Sequence, residues 1–248
     1  MTPAAQLALA AILAYLFGSV PSAYLLVRLR KGVDLRHHGT GTVGISNAVQ
    51  QAGGWVAVPL IVYDVFVKGW LPVFLASGVV LHLGLHMQIA IGVAAIAGHN
   101  WPIFLRFQGG RGVAPSLGVL LALHWPLLVA FGGVVTITWA ATRNSPVAWF
   151  IGTLALPVLA TAMRFLLTES APLRNEVILF TVIYVFLFLL KRLLGSWPGT
   201  RQARPNGMSL ARVVANRLIL DRDTGSRDEW IKRKPGRPPA GPRRVDAR

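Results

Sequence analysis

Long apolar stretches with almost no charged residues are the feature that most limits what this chain can fold into. In the first, residues 3–27, the only polar side chains are Gln6, Ser19 and Ser22, and about 20 residues suffice to cross a bilayer. A cleavable signal peptide is the alternative, but such peptides usually begin with basic residues, and no Lys or Arg precedes Arg28. Only 14% of the chain is charged, against roughly 25% in soluble domains, which excludes an ordinary soluble enzyme.

Six more apolar segments follow the first one. They cover residues 55–81, 82–105, 113–123, 125–142, 147–167 and 176–194. The segment 113–123 is too short to cross a bilayer straight, and we expect it to be a half-helix that ends at His124-Trp125-Pro126. The pattern predicts an all-α, polytopic membrane protein with about seven membrane segments, one of them a half-helix, in a domain covering residues 1–196.

Basic residues predict how this domain is oriented. Arg28, Arg30, Lys31 and Arg36 follow the first apolar segment directly, and positively charged loops stay on the cytoplasmic side of the membrane. The N-terminus is therefore expected outside, and both polar loops and the C-terminus are expected in the cytoplasm.

The remaining residues, 197–248, form a different kind of segment. They contain more than half of the chain's 25 Lys and Arg residues, interspersed with prolines. This composition predicts a mostly disordered cytoplasmic tail with an amphipathic helix at 209–220. A basic tail beside a membrane suits anionic lipid headgroups. Nucleic acid is the less favoured partner, because the tail has only two aromatic residues, Trp197 and Trp230, and no recognition motif.

The sequence gives little support for a metal site or a reactive thiol. The chain has no cysteine, which excludes disulfides, thiolate metal sites and a thiol nucleophile. His82 and His86 are spaced like metal ligands on a helix, but no third ligand lies near them in sequence. Asp64 and Lys68, four residues apart inside an apolar segment, are expected to form an internal ion pair. We therefore expect no metal and no cofactor.

Two glycine-rich loops are the candidates for chemistry. The first contains Gly39, Gly41 and Gly44 within six residues, with Arg36 before them and a helix expected to begin near Ser46. The second is Gly109-Gly110-Arg111-Gly112, again just before an expected helix. Such loops can present backbone amides and a cation to a phosphate, although glycines also occur in plain turns. Two of them on one membrane face suggest two phosphate groups.

At these loops the sequence resembles the bacterial acyl-phosphate-dependent glycerol-3-phosphate acyltransferases. That family carries Gly-Ser-x-Pro, followed by Asp-x-Arg-x-x-Gly-Ser-Gly-Asn-x-Gly-Ala-Thr-Asn, and this chain has Gly18-Ser19-Val20-Pro21 and a similar run at 34–47. The family's second motif, Gly-His-x-x-Pro-x-Phe with a later Gly-Gly-Lys-Gly-Val-Ala, corresponds to 98–114, with Arg111 in place of the lysine. The resemblance covers about residues 5–196.

The resemblance implies transfer of a fatty acyl group from acyl phosphate to the 1-hydroxyl of glycerol 3-phosphate, as a step of phospholipid synthesis at the bacterial inner membrane. The expected partners are these two substrates and membrane lipids, without nucleic acid. The implied catalytic residues are Arg111, Ser145 as a further hydroxyl, and His99 as candidate general base. The alternative for His99 is a histidine at a helix end that orients the loop. The implied substrate- and phosphate-binding residues are Ser22, Arg36, His38, Gly39, Thr40, Gly41, Gly44, Ser46, Asn47, Gly109, Gly110 and Gly112.

Charged or polar residues of the family are replaced at three places in this chain. Gln50 stands where the family has an arginine that holds glycerol phosphate, and Gln108 replaces a lysine before the diglycine. Phe186, Leu187, Phe188 and Leu189 replace the family's His-Arg-Glu-Asn near the end of the last apolar segment. The sequence therefore leaves open a second hypothesis, in which the protein is a non-catalytic or altered-substrate relative that binds phospholipid precursors or anionic lipid.

Overall fold

The computed structural model describes residues 2–166, 174–195 and 209–222, and within these ranges it contains helices and no strand. The α-helices are Pro3–Gly18 (α1), Ser22–Lys31 (α2), Ile45–Ala52 (α3), Ala57–Val62 (α4), Leu71–Ala76 (α5), Leu85–Asn100 (α6), Val113–Thr142 (α7), Ser145–Leu166 (α8), Asn175–Leu194 (α9) and Leu210–Ala215 (α10). Short 3₁₀ turns cover Leu35–His37, Gly54–Val56 and Ile103–Leu105, and π-helical stretches cover Tyr63–Trp70 and Asn216–Leu220. The predicted all-α class is confirmed.

Six helical stretches among the described residues are long and apolar enough to cross a membrane. They are Ala4–Lys31, Gly54–Ala76, Leu85–Leu105, Val113–Thr142, Ser145–Leu166 and Asn175–Leu194. The predicted segments 113–123 and 125–142 fall into one of these stretches, so six candidate spans stand against the seven predicted segments. The side of the membrane that each loop faces stays a prediction.

Several predicted boundaries were wrong by a few residues. The first segment is broken at Ser19–Pro21, because the ring of Pro21 has no N–H for a continuing helix, and α2 starts at Ser22. The second ends at Ala76 rather than 81, and the third starts at Leu85 rather than 82, because Ser77 and His82 leave the helical conformation and form a turn between α5 and α6.

Helix α7 bends sharply at His124, which has non-helical backbone angles (φ −164°, ψ 88°). The His124 ring Nδ1 accepts a hydrogen bond from the Leu127 N–H at 3.1 Å, so His124 caps a new helix that begins with Trp125 and Pro126. A straight helix of 30 residues would separate its ends by about 45 Å. Here Arg111, before α7, pairs with Asp221, and the carbonyl oxygen of Pro146, after α7, accepts from Arg192. Arg192 Nε in turn lies 4.0 Å from the Asp221 carboxylate, so the two ends of α7 are close together. The chain therefore reverses direction at His124.

The main core lies where α6, α7, α8 and α9 pack together. Its largest fully buried side chains include Phe131, Leu156, Phe180, Tyr184 and Phe188. Rings of α9 follow one another along the helix, with centroids of Phe180 and Tyr184 6.3 Å apart and those of Tyr184 and Phe188 6.1 Å apart. This packing fixes the end of α9 that carries Lys191 and Arg192.

Helix α1 crosses α6 in backbone contact. A Cβ atom on Gly98 would overlap the carbonyl oxygen of Tyr15, and one on Gly18 would overlap the backbone of Ala95. Small residues allow such close crossings in membranes, where helices associate through packing rather than through the hydrophobic effect. The crossing holds the end of α6, and with it His99, against α1.

We expect Gly98→Ala to destabilise the protein by about 1–3 kcal/mol, because the added methyl group must separate two helix backbones. The matched control is Gly133→Ala in α7, where a Cβ would meet no atom within 4 Å. Thermal unfolding in detergent should show a lower melting temperature for the Gly98 variant alone. Equal melting temperatures for the two variants would contradict the close crossing.

Candidate active site

The two glycine-rich loops open onto one cavity of about 720 Å³. Of the residues predicted from sequence, its wall contains Thr40, Gly44, Ser46, His99, Arg111, Gly112 and Ser145. The first turns of α3, α7 and α8 all contribute residues to this wall. Because the first amides of a helix have no partner within the helix and carry the positive end of its dipole, three such ends favour an anion in the cavity.

Asn47 shapes the first loop from behind. Its side-chain Nδ2 donates to the carbonyl oxygens of Leu35 at 3.1 Å, His38 at 3.0 Å and Thr42 at 2.9 Å. Its Oδ1 accepts from the Thr40 N–H at 3.2 Å. Asn47 is fully buried and does not line the cavity. One amide therefore holds the loop in the curve that brings Thr40 and the start of α3 to the cavity.

Arg36 also supports the first loop rather than lining the cavity. Its guanidinium pairs with Asp34 through Nη2–Oδ2 at 2.7 Å and Nε–Oδ1 at 3.0 Å, and it stacks over the Tyr24 ring at 5.2 Å. The hydrogen bond from Arg36 holds the pKa of the Asp34 carboxyl below its usual value. His38 is exposed, with its Nδ1 2.8 Å from the Asp34 carbonyl oxygen. The Asp34–Arg36 pair therefore supports the first loop from outside the cavity wall.

The diglycine of the second loop packs directly on His99. The Gly110 N–H donates to the His99 carbonyl oxygen at 3.1 Å, and a Cβ on Gly110 would overlap the His99 ring. A Cβ on Gly109 would likewise overlap the His99 carbonyl oxygen. Neither glycine lines the cavity, so their contribution is to let the loop lie close enough for Arg111 and Gly112 to reach it.

A buried charged cluster lies behind His99. Asp64 Oδ1 accepts from Ser22 Oγ and from Lys68 Nζ, each at 2.8 Å, which confirms the predicted ion pair. Asp64 Oδ2 is buried, has no hydrogen-bond partner among the described residues, and lies 3.9 Å from His99 Nδ1. Asp64 and His99 both line the cavity, whereas Ser22 reaches the site only through Asp64. Asp64 was missed as a site residue because its spacing to Lys68 explained it as a structural pair.

Four arginines of the described part of the chain line the cavity, and the sequence predicted only Arg111 among them. The others are Arg143, Arg192 and Arg222. Arg192 is almost fully buried and donates to the Pro146 carbonyl oxygen at 2.9 Å, while its guanidinium lies 4.4 Å from the Phe188 ring centroid. In the sequence, Arg192 could have been recognised as a site residue from one feature: Lys191 and Arg192 are two adjacent cations at the end of an apolar segment.

The remaining predicted residues lie behind the wall. Gly39 and Gly41 belong to the curve that Asn47 holds, and a Cβ on Gly39 would overlap the Asn47 side chain.

Two of the positions that differ from the family, Gln50 and Phe188, do line the cavity. Charged residues of the family are therefore replaced in the wall itself.

We expect Asn47→Ala to destabilise the protein by about 1–3 kcal/mol, because buried backbone groups of the first loop lose their partner. Gln50→Ala is the stability control, since Gln50 is exposed and makes one side-chain hydrogen bond, to Ser46 Oγ at 3.5 Å. Thermal unfolding of both variants checks this expectation. A melting temperature of the Asn47 variant equal to that of the Gln50 variant would show that the amide does not organise the loop.

Comparison with known proteins identifies the family. Residues 8–193 match the family model described as glycerol-3-phosphate acyltransferase. The chain is 39% identical over 226 residues to glycerol-3-phosphate acyltransferase 5 of Dehalococcoides mccartyi, covering 90% of this chain and 91% of that protein. It is 42% identical over 153 residues to the glycerol-3-phosphate acyltransferase of Pseudomonas putida, covering 61% of this chain and 79% of the other.

Solved structures give the same result. The fold matches the integral membrane glycerol 3-phosphate acyltransferase PlsY in its glycerol 3-phosphate form, with a TM-score of 0.64, 27% identity, and coverage of 75% of this chain and 88% of that one. The lysophosphatidic acid form of PlsY matches with a TM-score of 0.63. The similarity therefore extends over most of both chains. This chain belongs to the glycerol-3-phosphate acyltransferase family and is a helical membrane protein.

Proposed function

We propose that this protein transfers a fatty acyl group from acyl phosphate to the 1-hydroxyl of glycerol 3-phosphate, and that it releases lysophosphatidic acid and inorganic phosphate. The observation that carries the proposal is the meeting of both glycine-rich loops, His99 and four arginines at one cavity. Family membership supports the reaction class.

The cavity wall has two chemical zones that suit the two substrates. One zone is an apolar surface that fits an acyl chain, and it is formed by Ile61, Val65, Leu117, Trp149 and Phe188. The arginines and helix starts supply cations and amides that fit phosphate groups. An acyl phosphate has an apolar chain joined to an anionic group, so its chain fits the first zone and its phosphate fits the second.

In the proposed reaction, the hydroxyl oxygen of glycerol 3-phosphate attacks the acyl carbonyl carbon. The bond from that carbon to the phosphate oxygen then breaks, and phosphate leaves. His99 accepts the hydroxyl proton, and Asp64 Oδ2, 3.9 Å from His99 Nδ1, stabilises the resulting imidazolium. Arg111 and the loop amides stabilise the negative charge that develops on the carbonyl oxygen. The two anionic substrates gain from being held side by side.

We further propose that the protein lies in the bacterial inner membrane with the cavity open to the cytoplasm. Arg28, Arg30 and Lys31 are exposed at the end of α2, directly before the first loop. Exposed cations at that end favour a cytoplasmic location for the loops.

Phosphate release from palmitoyl phosphate by the detergent-purified protein, with and without glycerol 3-phosphate, tests the proposal. We expect release that depends on the acceptor. Arg111→Ala should lower kcat by about 100-fold or more, because a cation that stabilises the transition state is lost. Arg111→Lys keeps the charge and should retain part of the activity.

The matched control is Arg174→Ala. Arg174 also pairs with a carboxylate, that of Glu176 at 3.0 Å, but it is exposed and does not line this cavity. Its removal should leave kcat unchanged. Activity near the wild-type level in a folded Arg111→Ala protein would show that the second loop is not the site, and release without any need for acceptor would exclude glycerol 3-phosphate as substrate.

A second candidate function is binding without turnover. It is favoured by Gln50 and Phe188, which line the cavity at positions where the family has polar or charged residues. Binding of glycerol 3-phosphate without phosphate release would support this alternative. Turnover that is lost in the Arg111→Ala variant would exclude it.

A further inference from the structure

The C-terminal segment 209–222, made of α10 and the π-helical turn Asn216–Leu220, reaches the cavity from outside the family's matched region, which ends at residue 193. Arg192 of α9 donates to the carbonyl oxygens of Leu218 and Ile219. Arg217 Nη1 donates in turn to the Leu193 carbonyl oxygen at 3.1 Å. Cations in both elements thus bind carbonyls of the other, and the segment is docked on the end of α9.

This docking places the Asp221 carboxylate between two arginines of the cavity. Arg111 binds it through two contacts, Nε–Oδ2 at 3.1 Å and Nη2–Oδ1 at 2.9 Å. The same Oδ1 lies 4.0 Å from Arg192 Nε. Two guanidinium ions on either side of one carboxylate repel each other, and the shared carboxylate offsets that repulsion. The two-point contact also fixes the plane of the Arg111 guanidinium.

The backbone at Asp221 directs this carboxylate inward. Asp221 ends the π-helical turn with φ 55° and ψ 34°, in the left-handed region that aspartate and asparagine tolerate better than most residues. The side chain is only 19% exposed. Asp221 therefore belongs to the cavity wall rather than to the protein surface.

Arg111 keeps the capacity to bind a substrate while it is held in this way. Its guanidinium has five N–H groups. Nε donates to Asp221 Oδ2 and Nη1 donates to the Lys191 carbonyl oxygen at 3.2 Å, while Nη2 lies 2.9 Å from Asp221 Oδ1. At least two of the five N–H groups therefore have no partner among the described residues. The cavity remains about 720 Å³ with the segment docked, within the roughly 300–1,000 Å³ of small-molecule sites. The segment forms a wall of the cavity and leaves its interior open.

We propose that Asp221 is a positioning residue of the active site, which holds Arg111 and Arg192 side by side in the orientation that binds substrate phosphate. The C-terminal segment thereby supplies a charged group to the site. The end of the last span supplies the apolar residues Phe186–Leu189 where the family has polar ones. This inference rests on the proposed acyltransferase function for its kinetic test, and its binding test does not depend on turnover.

The test compares full-length Asp221→Asn with the control Glu176→Gln. The control removes the carboxylate from the Arg174–Glu176 ion pair, which does not line the cavity. Asparagine keeps the size of the side chain and tolerates the same backbone angles. Because a charged partner of Arg111 is lost, we expect kcat/KM for glycerol 3-phosphate to fall about 10- to 100-fold in the Asp221 variant alone. The Kd for glycerol 3-phosphate, measured by calorimetry, should rise by a similar factor. Asp221→Glu should restore part of both.

The opposite outcome has a distinct physical meaning. If Asp221 instead competes with substrate phosphate for Arg111, then Asp221→Asn should bind glycerol 3-phosphate more tightly and turn over faster. Either that result or unchanged constants in a folded variant overturns the inference, with the melting temperature as the measure of folding.

The kinetic and binding readouts also separate this inference from the proposed function. Wild-type protein that binds glycerol 3-phosphate without turnover, and loses affinity in Asp221→Asn, would refute the proposed function and support the inference. Normal wild-type turnover that Asp221→Asn leaves unchanged would refute the inference alone. Wild-type protein that neither binds nor reacts would refute both.

Discussion

The cavity depends on the reversal of helix α7 at His124. The residues before this helix carry the second glycine-rich loop and Arg111, and the residues after it carry Arg143 and Ser145. A single hydrogen bond from the Leu127 N–H to the His124 ring caps the second half of the helix, while Pro126 lacks the N–H that a continuous helix would use. If the helix ran straight, these two groups would lie at opposite ends of the molecule, and neither could complete the other's site.

Two carboxylates of the described residues balance part of the positive charge around the cavity. Asp64 pairs with Lys68 and faces His99, and Asp221 lies between Arg111 and Arg192. Ions in a membrane-embedded protein are expensive unless they are paired or reach water. Backbone carbonyls contribute as well, since Lys191 donates to Asn100 and Arg192 to Pro146. The net result is a cavity rich in cations, which suits substrates that carry phosphate.

The sequence predicted the membrane helices and both loops because these features are local. Apolar runs mark helices such as α8 and α9 almost to the residue, and glycines beside Arg36 and Arg111 mark the loops. The parts that were missed are contacts between distant residues. Asp221 meets Arg111 across 110 positions, and no spacing or motif reveals such a pair. His124 and Pro126 indicated a break in the helix, but the direction of the chain after the break is set by packing and not by those residues alone.

The position of Asp221 in the chain also determines when the site can be completed during synthesis. Chains emerge from the ribosome from the N-terminus, and early segments fold first. Arg111 is made long before the last span, and Arg192 arrives at the end of that span, but the carboxylate that lies between them follows 29 residues later still. Every helix long enough to enter the membrane in the described part of the chain precedes it. The two arginines therefore acquire their shared counter-ion only after the last of these described helices has been synthesised.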